Sequence, residues 1–173
     1  MMTDRTIAVR RLLPADAAAY RALRIEGFAT HTMDFRYSVA DEEATSLADA
    51  ERRLAESFVA GAFEDGELVG IGGWTRFAGE KLRHKGLLWG MYVRPAARGS
   101  GAADAIVRAI VEDASGEVRL LVLTVAAHNP RARRLYERWG FAEYGVEPQA
   151  FRAGDSFVDE VLMVKYLTES ADD

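Results

Sequence analysis

The sequence predicts an α/β fold in which a mixed sheet carries helices on its faces. Three observations support it. Strand-like and helix-like segments follow one another in the order β, α, α, β, β, β, α, β, α, β, β. An Asp-Gly pair, Asp65-Gly66, separates two apolar runs and marks a hairpin. Residues 118–125 form a nearly unbroken apolar run, the pattern of a strand buried on both faces.

Residues 7–13 are an apolar-rich strand stopped by Pro14, and Asp16 opens a helix whose apolar residues Tyr20, Leu23 and Phe28 recur at helical spacing. Residues 41–57 are charged with Leu47, Ala50 and Leu54 on one face, which predicts a second, more exposed helix. The hairpin strands are residues 58–63 and 68–77, and a further strand over 86–93 ends at Arg94-Pro95. After a turn of small residues, Ile106, Val107, Ile110 and Val111 share one helical face. Asn129-Pro130 begins another helix, with Asn suited to the cap and Pro to the first turn, and Gly140 ends it. Within that helix Leu135 and Trp139 read as core. Residues 141–144 and 157–167 are the last two strands, with Gly154-Asp155 in a loop between them.

With 173 residues the chain has the length of one domain, and its 49% apolar and 28% charged residues can build a core. Residues 1–168 are expected to form that domain and 169–173 an acidic tail. A formal charge of −5 gives no reason to expect a nucleic acid as partner. The absence of cysteine excludes disulfides, thiolate metal sites and cysteine nucleophiles. The first residues lack a basic and then apolar leader pattern, and no apolar run approaches the ~18 residues of a membrane span, so the expected location is cytoplasmic and no membrane partner is expected. No metal site is expected.

The segment 86–110 sets a strand, a glycine turn and a helix start in immediate succession. Amide N–H groups at a helix N-terminus have no intrahelical partner and lie at the positive end of its dipole, so they can coordinate an anion. Gly99 and Gly101 permit positive φ and a close ligand, and Ser100, Ala102 and Ala103 keep the mouth small. An ordinary strand-to-helix loop with two glycines is the alternative. A dinucleotide site would need Gly or Ala where Asp104 stands, and no Gly-Lys-Ser/Thr of a nucleoside triphosphate loop is present.

The turn Arg98-Gly99-Ser100-Gly101-Ala102-Ala103 resembles the cofactor signature Arg/Gln-x-x-Gly-x-Gly/Ala of the GNAT superfamily of N-acetyltransferases. Residues 129–141, with Asn129, Ala132, Leu135, Tyr136, Gly140 and Phe141, resemble the same family's Asn-x-x-Ala-x-x-Leu-Tyr-x-x-x-Gly-Phe. The resemblance covers roughly residues 68–141. It implies a central, mostly antiparallel sheet with splayed central parallel strands and helices on both faces, and acetyl-CoA as acetyl donor. It also implies that the backbone of Met91, Tyr92 and Val93 pairs with the pantetheine arm, that the turn amides hold the pyrophosphate, and that the acetyl group lies where two strands diverge.

Asn129, Ala132 and Tyr136 share a helical face, where a small Ala leaves room for a ligand. Tyr136 is the candidate proton donor to the departing thiolate, the alternative being a core aromatic. Arg131, Arg133, Arg134 and Arg138 are candidates for the CoA 3′-phosphate or a solvated helix face. The expected reaction is direct attack by a primary amine, most simply of a small molecule, and it needs a base. The position where several relatives carry a carboxylate aligns with Leu87, so that role has no counterpart here. His84 and Glu160 lead the remaining candidates on chemical type, ahead of Glu147 and Asp159. Phe28, His31, Met33, Phe35, Tyr37, Phe151 and Phe157 are candidates to wall the acceptor pocket, or else core or a dimer contact. Acetylation of a protein N-terminus or lysine, and a non-catalytic acyl-CoA-binding domain, are the competing functions; homodimerisation is common in the family.

Overall fold

The computed structural model describes residues 6–167. The elements are β1 Ile7–Arg11, α1 Ala17–Thr30, α2 Val39–Glu43, α3 Leu47–Glu56, β2 Phe58–Glu64, β3 Glu67–Arg76, β4 Lys85–Val93, α4 Ala102–Ala114, β5 Leu120–Ala126, α5 Pro130–Arg138, β6 Ala142–Ala153 and β7 Ser156–Tyr166. Seven strands form one sheet in the order β1-β2-β3-β4-β5-β7-β6. Every neighbouring pair is antiparallel except β4 and β5, which the α4 crossover makes parallel. The acidic tail at 169–173 lies outside the described residues.

The sheet is covered on both faces. Ile106, Val107 and Ile110 of α4 pack with Leu121, Leu123 and Met163 on one side. Tyr20 and Leu23 of α1 and Leu54 of α3 pack with Val59 and Ile71 on the other. Each of these side chains is at most 2% exposed, so the apolar stripes read in the sequence supply the burial that stabilises the layers. Asp65 and Gly66 both take positive φ, the two-residue turn that Asp-Gly favours.

Two expectations need correction. The helix predicted over residues 41–57 is two helices. Ser38 and Ser46 each cap a helix start, their hydroxyls accepting the amides of Asp41 and Asp49, while each Asp side chain accepts the Ser amide in return. The second cap forces a new start at Leu47, and the segment between α1 and α3 packs its α2 against α1. The last hairpin is also much longer than residues 141–144 suggest. Strand β6 runs on through Pro148 because a bulge between Glu147 and Phe151 absorbs the extra residues, Gln149 taking φ 49° with its amide bound to Asp159 Oδ1 at 2.7 Å.

Asp16 closes the corner between β1 and α1. Its carboxylate takes two N–H groups of Arg10, both at 2.8 Å, and the amide of Leu13. The Arg10 bonds come first among the causes that hold its pKa at about 2, below the ordinary carboxylate value. A carboxyl group lowered on folding stabilises the fold above its unfolded pKa and stops doing so as pH falls toward the folded value. Asp16→Asn is therefore expected to lower stability by roughly 1–2 kcal/mol at pH 7, with the deficit shrinking between about pH 4 and pH 2, in urea titrations of both proteins.

Candidate active site

Only Lys85, Gly86 and Leu87 of β4 pair with β5, opposite Leu120, Leu121 and Val122. Beyond them β4 stays on β3 as far as Val93, and β5 stays on β7 as far as Ala126, so the two central strands part. A bulge contributes, since Trp89 to Tyr92 of β4 faces Gly73 to Ile71 of β3 with one residue in excess, at Gly90 and Met91. The wedge is the floor of a cleft of about 1250 Å³. Along it the side of β4 facing β5 has no strand partner past Leu87, an open ladder that an extended ligand can join.

At one end of the cleft is the glycine turn. Gly101 is the N-cap of α4 with φ 87°, and a Cβ built there would meet no protein atom within 4 Å. Ser100 is held by its own hydroxyl, which donates to the Ala97 carbonyl at 2.6 Å. Arg98 anchors the entrance by donating from Nε to the Val93 carbonyl and from Nη2 to His31 Nε2 at 2.8 Å. Since guanidinium only donates, His31 Nε2 must accept, which leaves its proton on Nδ1, beside Asp34 Oδ2 at 3.3 Å. Burial, and then the charge of Arg131, lowers the Arg98 pKa from its ordinary value. Two cations facing one cleft are a situation that an anionic ligand relieves.

The arginines on α5 divide. Arg133 is committed to Glu137 and Glu143, and Arg138 to Asp104. Arg131 lines the cleft and, among the described residues, has no carboxylate partner. Asn129 Oδ1 accepts the Ala132 amide at 3.1 Å and so caps α5, while both residues border the cleft. Leu135 is buried, and Trp139 packs at the margin with its indole N–H on Asp104.

Tyr136, on α5, is 6% exposed and faces the cleft, its ring edge-on to Phe141 with centroids 5.8 Å apart. No described residue hydrogen-bonds its hydroxyl. Desolvation pushes the phenol pKa far up, so the proton stays on Oη throughout the usable pH range.

Phe28, His31, Phe35 and Tyr37, the residues considered for an acceptor pocket, line the cleft together with Leu87 and Trp89. Met33 borders a smaller neighbouring pocket instead, and Phe151 and Phe157 lie outside both. Glu160, at 3% exposure, lines the cleft and is ion-paired with Arg36, which also binds Glu147. This bridge ties the segment after α1 to the last hairpin. Asp159 is used in the bulge, as described. His84 is not brought to the site: it is exposed in the turn before β4, at the end where β4 and β5 are joined, and its carbonyl receives the amides of Arg119 and Leu120.

Arg24, Arg36 and Glu42 also line the cleft and were not singled out from the sequence. Periodicity marks only apolar residues, and a buried arginine on an amphipathic helix reads as a solvated one. Among the described residues no cluster of side chains is suited to a metal ion, and no helix is long and apolar enough to cross a membrane.

Residues 24–141 match the model of the acetyltransferase (GNAT) family, and the chain belongs to that family. Solved structures agree over the whole fold. A GNAT-family acetyltransferase from Streptococcus pneumoniae is 25% identical with a TM-score of 0.82, over 94% of this chain and 100% of that one. The ribosomal-protein-alanine N-acetyltransferase of Brucella melitensis is 25% identical with a TM-score of 0.79, over 92% and 99%. A Salmonella typhimurium protein solved with its cofactor acetyl-CoA is 22% identical with a TM-score of 0.82, over 97% and 98%, and is a likeness of fold. No curated protein matches the chain.

Proposed function

We propose that this chain is an acetyl-CoA-dependent N-acetyltransferase that acts on a small-molecule primary amine by direct attack within a ternary complex. The observation that carries this reading is the parting of β4 and β5, with a glycine turn and Tyr136 of α5 lining the same cleft.

The residues present fit the cofactor. The amides of Gly101, Ala102 and Ala103 open α4 and suit a pyrophosphate, that of Ala102 being shared with the Ser100 hydroxyl at 3.3 Å, and Arg98 and Arg131 add charge. The unpaired edge of Met91, Tyr92 and Val93 suits the pantetheine amides. Bound there, acetyl-CoA would supply the thioester carbonyl that the amine attacks. Tyr136 holds a proton on Oη for the leaving sulfur. An alkyl amine of pKa about 10 arrives mostly protonated at neutral pH, so the site must take a proton from it. Glu160 is the candidate for that role, buried inside the cleft and held by Arg36, whereas Glu42, also buried there, stands between Arg24 and Arg53.

The Arg36 bridge to Glu160 and Glu147 closes one side of the acceptor end, which favours a compact amine over a peptide lying across the cleft. The likeness to a ribosomal-protein acetyltransferase supports the other reading, so the test includes a peptide. Thiol release from acetyl-CoA is measured with a panel of small primary amines and with a peptide bearing an N-terminal alanine. Turnover of small amines is the expected result; turnover of the peptide alone would replace them with a protein acceptor, and none with either would leave a binding domain. Glu160→Gln is expected to lower kcat/KM at least tenfold at pH 7, on the scale of a lost general base. The loss should shrink as pH approaches the amine pKa, where free amine is already present.

A further inference from the structure

Arg24 is an arginine with most of its hydrogen-bonding capacity unused. It projects from α1 into the acceptor end of the cleft and is only 8% exposed. Its Nε lies 2.9 Å from Glu42 Oε2, at an angle that leaves the N–H without an acceptor. Among the described residues neither terminal nitrogen has an acceptor either. The guanidinium is walled by aromatic rings, with centroids at 4.9 Å for Phe28, 5.6 Å for Tyr20 and 5.9 Å for Trp89. Its Nη1 reaches the β4 bulge, where a Cβ on Gly90 would stand 3.1 Å from it.

The local charges do not cancel. Glu42, 3% exposed, is the buried carboxylate beside Arg24 among the described residues, and it also faces Arg53 at 3.4 Å. Two guanidinium groups around one carboxylate leave one positive charge in excess. Asp41 also borders the cleft, but it is exposed and bound by the amide and hydroxyl of Ser38. Elsewhere in the same cleft the balance is reversed, because among the described residues Arg36 is the one cation paired with Glu160 and Glu147. A buried, under-coordinated guanidinium is costly unless a ligand completes it.

We infer that the acceptor is an amino carboxylate, an amino acid or a close relative of one, whose carboxylate is received by Arg24 while its amine is directed to Glu160. A carboxylate matches the excess charge of one and the planar fork of donors, whereas a phosphate group would bring more charge than the site leaves unbalanced. The rings of Phe28, Phe35 and Trp89, which line the same cleft, suit an apolar side chain on such an acceptor. The inference rests on the acetyltransferase reading, and the experiment separates the two.

Thiol release from acetyl-CoA is measured with L-phenylalanine and L-leucine, with their amides, with phenethylamine and with spermidine. The expected result is a kcat/KM at least tenfold higher for the acids than for their amides. Arg24→Gln should raise KM for the acids at least tenfold while kcat stays within a few fold and stabilisation by acetyl-CoA is retained, and Arg24→Lys should recover part of the loss. Equal rates for acids and amides, or turnover of phenethylamine or spermidine alone, would overturn the carboxylate assignment and leave the acetyltransferase reading intact. If nothing is turned over, thermal stabilisation of the CoA-bound protein is titrated with the same compounds. Stabilisation by the acids alone would keep the carboxylate site and sink the transfer reaction; no stabilisation would overturn the site.

Discussion

Replacing Tyr136 by phenylalanine is expected to lower kcat at least tenfold and to leave the Kd for acetyl-CoA within a few fold. The ring stays, so its packing on Phe141 and the walls of the cleft are preserved. The hydroxyl has no partner among the described residues, so its removal strands no buried donor or acceptor and costs little stability. What is lost is a proton held next to the cleft by a phenol too desolvated to ionise. Proton donation in the transition state is typically worth about 10²- to 10⁴-fold, and a thiolate, with a pKa near 8.5, leaves more readily than an alkoxide. The lower bound is therefore set at tenfold. Single-turnover rates at saturating acetyl-CoA check it, and an unchanged rate would remove Tyr136 from the chemistry.

Substituting Gly101 by valine is expected to abolish acetyl-CoA binding in a protein that remains folded. At φ 87° an L-residue with a branched side chain is strained, by roughly 1–2 kcal/mol. A domain stability of about 5–15 kcal/mol absorbs that. No protein atom lies within 4 Å of the new Cβ, so the side chain meets no protein atom there and instead occupies the space at the turn where the ligand would approach the amides. The functional loss should thus far exceed the structural one. Far-UV circular dichroism and isothermal titration calorimetry with acetyl-CoA separate them; undiminished affinity would refute the phosphate-turn assignment.

The turn at Gly101 and the place of Tyr136 on α5 were legible in the sequence because each carries a backbone or spacing requirement. A glycine turn between strand and helix, and an Asn, Ala and Tyr on one helical face, are local patterns. The hairpin at Asp65-Gly66 was legible for the same reason. The break between α2 and α3 was written as Ser38-x-x-Asp41 and Ser46-x-x-Asp49, yet the charge periodicity of residues 41–57 masked it. The length of β6 was hidden by Pro148, which argues against a strand until the bulge is seen. Pairings between distant segments leave no local signal: Arg24 meets Glu42 where α2 packs on α1, and Arg36 meets Glu160 where the segment after α1 reaches β7. His84 lies away from the cleft for the complementary reason. Its chemistry was suitable, but β4 enters the sheet paired with β5 and only later parts from it, so the residue before the strand stands at the joined end.

The most direct test of the central claim, that the wedge between β4 and β5 holds an acyl-CoA, is a thermal-shift titration with acetyl-CoA, CoA and NAD. A ligand that binds only the folded state stabilises it by RT ln(1 + [L]/Kd), about 2.7 kcal/mol at a hundredfold excess over Kd. Stabilisation by acetyl-CoA and CoA, with none by NAD, is the expected result. No rise with either CoA compound would contradict the claim.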